Sequence, residues 1–216
     1  EKDYNTNIIS GQYDKSGLGK LVRQVSQTRQ FGLADFAPYA PSNNEPAAFI
    51  AQPVIHNGQM QFIVALQVSI ESVSRIMHER TGMGRSGETY LVGPDNLMRS
   101  DALHDPANRS VRASFANPDR GSVDTEAVRT ALSGSPGSGI ITGYKGNSVL
   151  SAFTPLKAGD MTWALLAEID EAEVMEPINR LMLFLLGAGL LIGLFVVPFA
   201  FFIAKSIAVP LVRGVR

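Results

Sequence analysis

The stretch LMLFLLGAGLLIGLFVVPFAFFIA, residues 181–204, runs for 24 residues without a charged side chain. A helix of that length rises about 36 Å, enough to cross a roughly 30 Å hydrocarbon core with some tilt. Core helices of soluble proteins rarely carry so long an apolar run, so the pattern predicts one membrane span. Gly187, Gly189 and Gly193 leave room for a neighbouring helix, and Pro198 can bend the segment; a membrane tolerates both. Acids gather before the run (Asp170, Glu171, Glu173 and Glu176, with Arg180 at the border). Lys205, Arg213 and Arg216 follow it with no acid among them. Positive flanks stay in the cytoplasm, which places residues 1–180 outside and residues 205–216 inside.

The chain as a whole is ordinary in composition, 45% hydrophobic with a formal net charge of −1, so nothing draws it to nucleic acid. Cysteine is absent, which removes disulfides and thiolate metal sites. His56, His78 and His104 have no second ligand at helical or hairpin spacing, so no metal site is expected. GSPGSG (134–139) lacks the Gly-Lys-Ser/Thr end of a phosphate loop, and GMGRSG (82–87) leads into a strand where a nucleotide loop would open a helix. No Gly-x-Ser-x-Gly elbow is present. The expectation is a protein with neither catalytic residues nor a cofactor.

Along the outer portion, Ser16 can cap a helix with Leu18, Leu21, Val22 and Val25 on one stripe. Residues 36–46, FAPYAPSNNEP, read as a loop dense in Pro and Asn. AAFIAQPVI and QFIVALQVSI read as strands around His56-Asn57-Gly58, an Asn-Gly hairpin signal. A second amphipathic helix comes next, with Ile70, Val73, Ile76 and Met77 inward and Gly82 as its C-cap. ETYLVG and LMRSD form a hairpin around a Pro-Asp-Asn turn, and a polar loop runs from Ala102 to Ser122. Asp124 can cap the helix TEAVRTAL, which Gly134 ends. Three strands complete the portion, GIITGY, SVLSAF and TWALLAEI, with turns at 145–147 and 157–160. Asp170 to Glu173 reads as a capping box opening the helix that enters the membrane. The order predicts an α+β fold, an antiparallel sheet with helices packed on it.

Four stretches carry a resemblance: FAPYAPSNNEPAAFIAQPVIHNGQMQFIVALQVSI, GRSGETYLVGPDNLMRSD, GYKGNSVLSAFTPLKAGDMTWALLAEIDEAE and AKSIAVPLVRGV. Together they resemble the double Cache (tandem PAS-like) sensor region of bacterial chemoreceptors and related transmembrane sensors. The last stretch is similar to the start of a HAMP signalling helix, with Pro210 where that family commonly has one. The resemblance implies that residues 1–80 are the C-terminal part of a membrane-distal Cache module and its linker helix, whose first helix and strands would precede Glu1. Residues 81–169 would be the membrane-proximal module, 170–204 the juxtamembrane and transmembrane helix, and 205–216 the start of HAMP.

The function implied by the resemblance is that of a receptor of the bacterial inner membrane, periplasmic over residues 1–180. It would bind a small molecule, act as a homodimer and pass a shift through the membrane helix to HAMP. The output would be chemotactic signalling; a histidine kinase or nucleotide cyclase would read the same here. In amino-acid-binding members an aromatic and an aspartate hold the ligand. Tyr39 matches the aromatic, and the aspartate position falls on Gln67, an amide that suits a neutral or anionic ligand. Asp35 could join that pocket or fix its loop. In the proximal module Arg99 could pair a ligand carboxylate with Tyr90 and Phe153 as walls, or Arg99 and Asp101 could brace the loop after the strand. Trp163, the one tryptophan, reads as core. The rival reading is an accessory membrane subunit that uses a Cache-like domain as a docking surface.

Overall fold

Alternating and helical apolar patterns resolve into seven strands and seven helices among the described residues of the computed structural model, which are 3–213, with side chains to Lys205. Helix α1 (Gly17–Thr28) begins at Ser16, whose Oγ accepts from the Gly19 N–H at 3.1 Å, and buries Leu21, Val22 and Val25. It lies against a three-stranded antiparallel sheet of order β1-β2-β3. The strands are β1 (Gly32–Tyr39), β2 (Glu45–His56) and β3 (Gln59–Gln67). Residues 36–46, expected as a loop, are the end of β1, a 3-10 turn over Ala40–Ser42 and the start of β2. Pro38 lies on the edge strand β1, and Pro46 opposite it lies in the part of β2 before its pairing with β3 begins at Phe49, so a missing N–H is tolerated at both. Asn43 and Asn44 supply the positive φ values of the turn, 56° and 62°. The Asn57-Gly58 turn forms as expected, with φ 51° and 76°.

Helix α2 (Ile70–Met77) is capped by Ser69. Ile76, expected inward, is 68% exposed, while Ser74 is buried in its place because its Oγ accepts from the Asp101 N–H at 2.9 Å. The helix closes at His78; Gly82, expected as its C-cap, lies in the turn beyond. Strand β4 (Glu88–Val92) comes next. Its expected hairpin partner is reduced to a single bridge, Val92 to Met98, because the Ser100 hydroxyl replaces the next ladder acceptor for the Leu91 N–H. The expected loop 102–122 contains three short helices, α3 (Pro106–Arg109), α4 (Val111–Ala116) and α5 (Pro118–Gly121). Helix α6 (Glu126–Leu132) is capped by Thr125 rather than Asp124, whose carboxylate instead pairs with Arg129 at 2.6 Å.

Strands β5 (Gly137–Thr142), β6 (Ser148–Ala158) and β7 (Met161–Asp170) complete a second antiparallel sheet of order β4-β7-β6-β5. Lys157 and Ala158, expected in the last turn, belong to β6. Helix α6 covers one face of this sheet and contributes Ala127, Val128 and Ala131 to a core with Tyr90, Val92, Ala164 and Leu166. Phe36 of β1 reaches the same core and meets Trp163 at 6.3 Å between ring centroids. The two sheets share a plan: helix, three-strand meander, helix occurs as α1 to α2 and again as α6 to α7. In the second sheet β4 covers the far edge of β7 as well.

The chain divides after Glu171 into a second unit. Helix α7 (Glu171–Arg213) is continuous through Pro177, Pro198 and Pro210. Residues 171–205 of it are long and apolar enough to cross a membrane. The HAMP-like stretch 205–216 is helical in backbone to Arg213, and its last three residues lie outside the described residues.

Candidate functional site

The proline-bounded β1 and the single bridge at Met98 bring together residues far apart in sequence. Arg99 is 1% exposed. Its Nε donates to Asp35 Oδ1 and its Nη2 to Asp35 Oδ2, each at 2.7 Å, and Nη2 also lies 3.0 Å from Asp95 Oδ1. The Leu97 carbonyl takes Nη1 at 3.0 Å, and the guanidinium carbon lies 5.3 Å from the Phe115 ring centroid. Burial works against this charge; Asp35 and Asp95 outweigh it and raise the guanidinium above its ordinary value. Gly93 is required here, because a Cβ at that position would stand 2.2 Å from the guanidinium carbon. Asp35 and Arg99 thus form a two-pronged tie between the two sheets.

The other residues singled out in the sequence sit apart from this tie. Tyr39 is buried edge-on against Phe49, 4.8 Å between centroids, and donates its hydroxyl to Asp3 Oδ2 at 2.7 Å. Gln67 ends β3 with its side chain exposed. Asp101 Oδ1 accepts from the Val111 N–H at 2.7 Å and so holds the start of α4. Tyr90 is buried and donates to Glu168 Oε2 at 2.9 Å; burial, then Glu168, pushes its phenol well above the ordinary range. Phe153 packs over Gly137, where a Cβ would come within 2.6 Å of its ring.

Besides a groove of about 340 Å³ lined by Met83, Leu150, Ser151, Ala152 and Glu168, two larger open grooves are of a size for a small ligand, for which sites of order 300–1,000 Å³ are usual. One, about 410 Å³, lies between the N-terminal segment, α1 and β3; Leu18, Val22, Met60 and Ile63 make it apolar, and Asp3 and Ser26 add polar groups. Tyr39 does not line it but fixes Asp3, which does. The other, about 450 Å³, is polar and lined by Asp124, Thr125, Arg129, Thr142 and Tyr144. No local sequence signal marks Asp3, because its tie to Tyr39 spans 36 residues.

Two further acids carry only a faint signal in the sequence. Glu88 and Glu168 are paired directly across β4 and β7 and are both buried. The signal is parity: Glu168 shares the inward face with Ala164 and Leu166, and Glu88 with Tyr90 and Val92. Among the described residues no cluster of His, Cys, Asp and Glu is suited to a metal ion.

No family model matches the chain, and no curated protein does. Solved structures do. The periplasmic sensory domain of the Campylobacter jejuni chemoreceptor Tlp1 aligns with a TM-score of 0.53 at 14% identity, over 76% of this chain and 59% of that one. The ligand-binding domain of the Pseudomonas aeruginosa amino-acid chemoreceptor PctC, solved with GABA, aligns at 0.47 and 19% identity, over 69% and 60%. The extracellular domain of a histidine kinase, mmHK1S-Z3, aligns at 0.49 and 16%, over 79% and 59%. The chain spans about 60% of the length of these structures. The first of them shows a shared α+β fold.

Proposed function

We propose that this chain is the ligand-sensing and transmembrane signalling region of a bacterial receptor, with two PAS-like Cache modules ahead of a membrane helix and the start of HAMP. The observation that carries it is continuity: β7 ends at Asp170 and a membrane-length helix begins at Glu171 with no linker. The fold shared with a chemoreceptor's periplasmic sensory domain supports it. In this reading a small molecule enters the groove beside α1 and β3. The Arg99–Asp35 tie makes the two sheets respond together, and β7 hands the change to α7. The ligand must prefer one arrangement, and about 5.5 kcal/mol of preference inverts a 1:99 population.

The groove's apolar wall and Asp3 favour a ligand with an apolar body and one donor group. Of the seven residues Asp35, Tyr39, Gln67, Tyr90, Arg99, Asp101 and Phe153, Tyr39 supports the groove and Arg99 with Asp35 transmits, while the other four belong to neither the groove nor the tie. The rival docking-subunit reading draws on the exposed Phe62, Val64 and Leu66 of β3. A thermal-shift screen of the chain in nanodiscs against amines, amino acids and organic acids separates the two. A ligand at 100 times its Kd adds about 2.7 kcal/mol. A hit that Asp3→Ala abolishes supports sensing, and silence across the screen favours docking.

A further inference from the structure

Four residues form one row across the second sheet: Glu88 faces Glu168, Glu168 faces Ser151, and Ser151 faces Gly139. Directly opposed side chains share a face, and like charges so placed repel. Glu88 is well provided for as a carboxylate. Its Oε2 accepts from the backbone N–H groups of Leu103 at 3.0 Å and His104 at 3.3 Å, and its Oε1 accepts from the Tyr144 hydroxyl and lies 3.8 Å from Lys145 Nζ. Glu168, 3% exposed, has Tyr90 on Oε2, while Oε1 is buried with no hydrogen-bond partner. The Ser151 hydroxyl, its direct neighbour across β6 and β7, is buried and makes no hydrogen bond of good geometry, though it lies close enough to favour the charged carboxylate.

An ionised carboxylate with one bare buried oxygen, opposite a second carboxylate, is the unfavourable state of this row. We propose that Glu168 is a proton-binding site, taking up one proton from solvent on Oε1, the buried oxygen that faces the Ser151 side of the row. One proton then removes the like-charge contact with Glu88 and the cost of a bare buried charge on Oε1. A cavity of about 10 Å³, room for about one water, is lined by Glu88, Glu168, Tyr144 and Lys145 and gives the proton a route. Burial, with Glu88 behind it, already raises the Glu168 carboxyl above its ordinary range, against the opposing pull of Tyr90, Ser151 and Lys145.

The charged and titratable groups around this row come from β4, the β5–β6 turn, the segment 104–109 with His104 and Asp105, and the end of β7, where Asp170 lines the same small cavity. Strand β4 presents Glu88 and Tyr90, and the β5–β6 turn presents Tyr144 and Lys145. Helix α3 places Arg109 over the Tyr144 ring at 4.6 Å. Helix α6 offers only Ala127, Val128 and Ala131, with Glu126 and Arg129 turned to solvent. Glu168 lies three residues before α7. On the sensory reading above, the proton is therefore a second input, delivered at the strand that leads into the membrane.

The test is an infrared pH titration of the full chain in nanodiscs, following the carbonyl stretch of protonated carboxylic acid. The wild type should keep this band above the ordinary Glu range, near about 4.3. Glu168→Gln should lose it, and Glu88→Gln should move its midpoint down. No such band, or one that survives Glu168→Gln, would overturn the proposal, as would a midpoint indifferent to Glu88→Gln. Emission from Trp163, on the same strand, verifies folding, and the Glu88 variant decides the matter if Glu168→Gln does not fold. A spin label at Leu183 reads the helix separately. Proton uptake without a change there leaves the site standing and sinks the transmission reading.

Discussion

Arg99 and Asp35 meet side-on through two hydrogen bonds of 2.7 Å across 64 residues of chain, and so fasten the first strand of one sheet to the turn region of the other. The guanidinium is 1% exposed, so water cannot replace a lost partner. Breaking a buried pair by removing one side costs about 3–5 kcal/mol, whereas replacing both sides with apolar groups can be neutral. Asp95 stays on Nη2, so Asp35→Ala should destabilise by about 3 kcal/mol, the low end of that range, and the double variant Asp35→Ala/Arg99→Met should recover much of it. Denaturant unfolding of the four proteins of the cycle measures this; additive losses would mean that the pair is not coupled.

Gly93 is fixed by the same guanidinium. A methyl group added at this position collides with Arg99 at 2.2 Å, and overpacking of a filled site costs about 1–3 kcal/mol. Gly93→Ala should be destabilising in the wild type and milder with Arg99→Met, whose side chain can move aside. Equal costs in both backgrounds would place the strain elsewhere.

Tyr39 separates support from packing. Tyr39→Phe keeps the ring on Phe49 and removes the hydroxyl's bond to Asp3, worth about 1 kcal/mol. Tyr39→Ala removes a buried aromatic as well and should cost about 3–5 kcal/mol. If the groove beside α1 binds the ligand, Tyr39→Phe should weaken binding with little loss of stability, because Asp3 loses its anchor. Calorimetric titration of a screened ligand against both variants checks it.

The parts of the fold legible in the sequence are those set by local chemistry: the Ser16 cap, the Asn57-Gly58 turn and the apolar run. Sequence and structure diverge where a distant partner overrides local signals. The Pro and Asn residues of 36–46 read as loop because their tolerance depends on which stretches of β1 and β2 lack a second partner strand, a property of the sheet. Ile76 reads as core because Ser74 takes the inward place through Asp101, 27 residues on. Helices of four to six residues between 106 and 121 are too short to show a period. Of the site, Arg99 and Asp35 are each visible as candidates, but their pairing belongs to the packing of two sheets. Glu168 is legible only as a charge on the inward parity of an apolar strand.

A carboxyl on the inward face of β7 makes stability depend on pH. The folded state raises the Glu168 carboxyl above its unfolded value, so folding favours the protonated form. Its contribution is fully present below the ordinary Glu range and is lost as pH rises through the raised native value. Unfolding free energies of the wild type relative to Glu168→Gln should therefore fall with rising pH across that interval and level off above it. A difference that rises with pH, or stays flat, would show that Glu168 is ionised in the fold throughout.

The orientation of α7 can be read directly because the chain has no cysteine. Flanking charge predicts Lys205 and Arg213 on the cytoplasmic side, with the sheets outside. A single Asn5→Cys should react with a membrane-impermeant maleimide in intact cells, and Ser206→Cys only after the membrane is opened. The span itself is tested by Ile192→Arg, at the middle of the apolar run, which should cost about 2.5–3.5 kcal/mol of insertion free energy. Reaction of Ser206→Cys from outside would reverse the topology, and Ile192→Arg without effect on insertion would show that this helix does not cross the bilayer. The first result would also remove the periplasm as the place where any ligand is met, since both sheets would then face the cytoplasm.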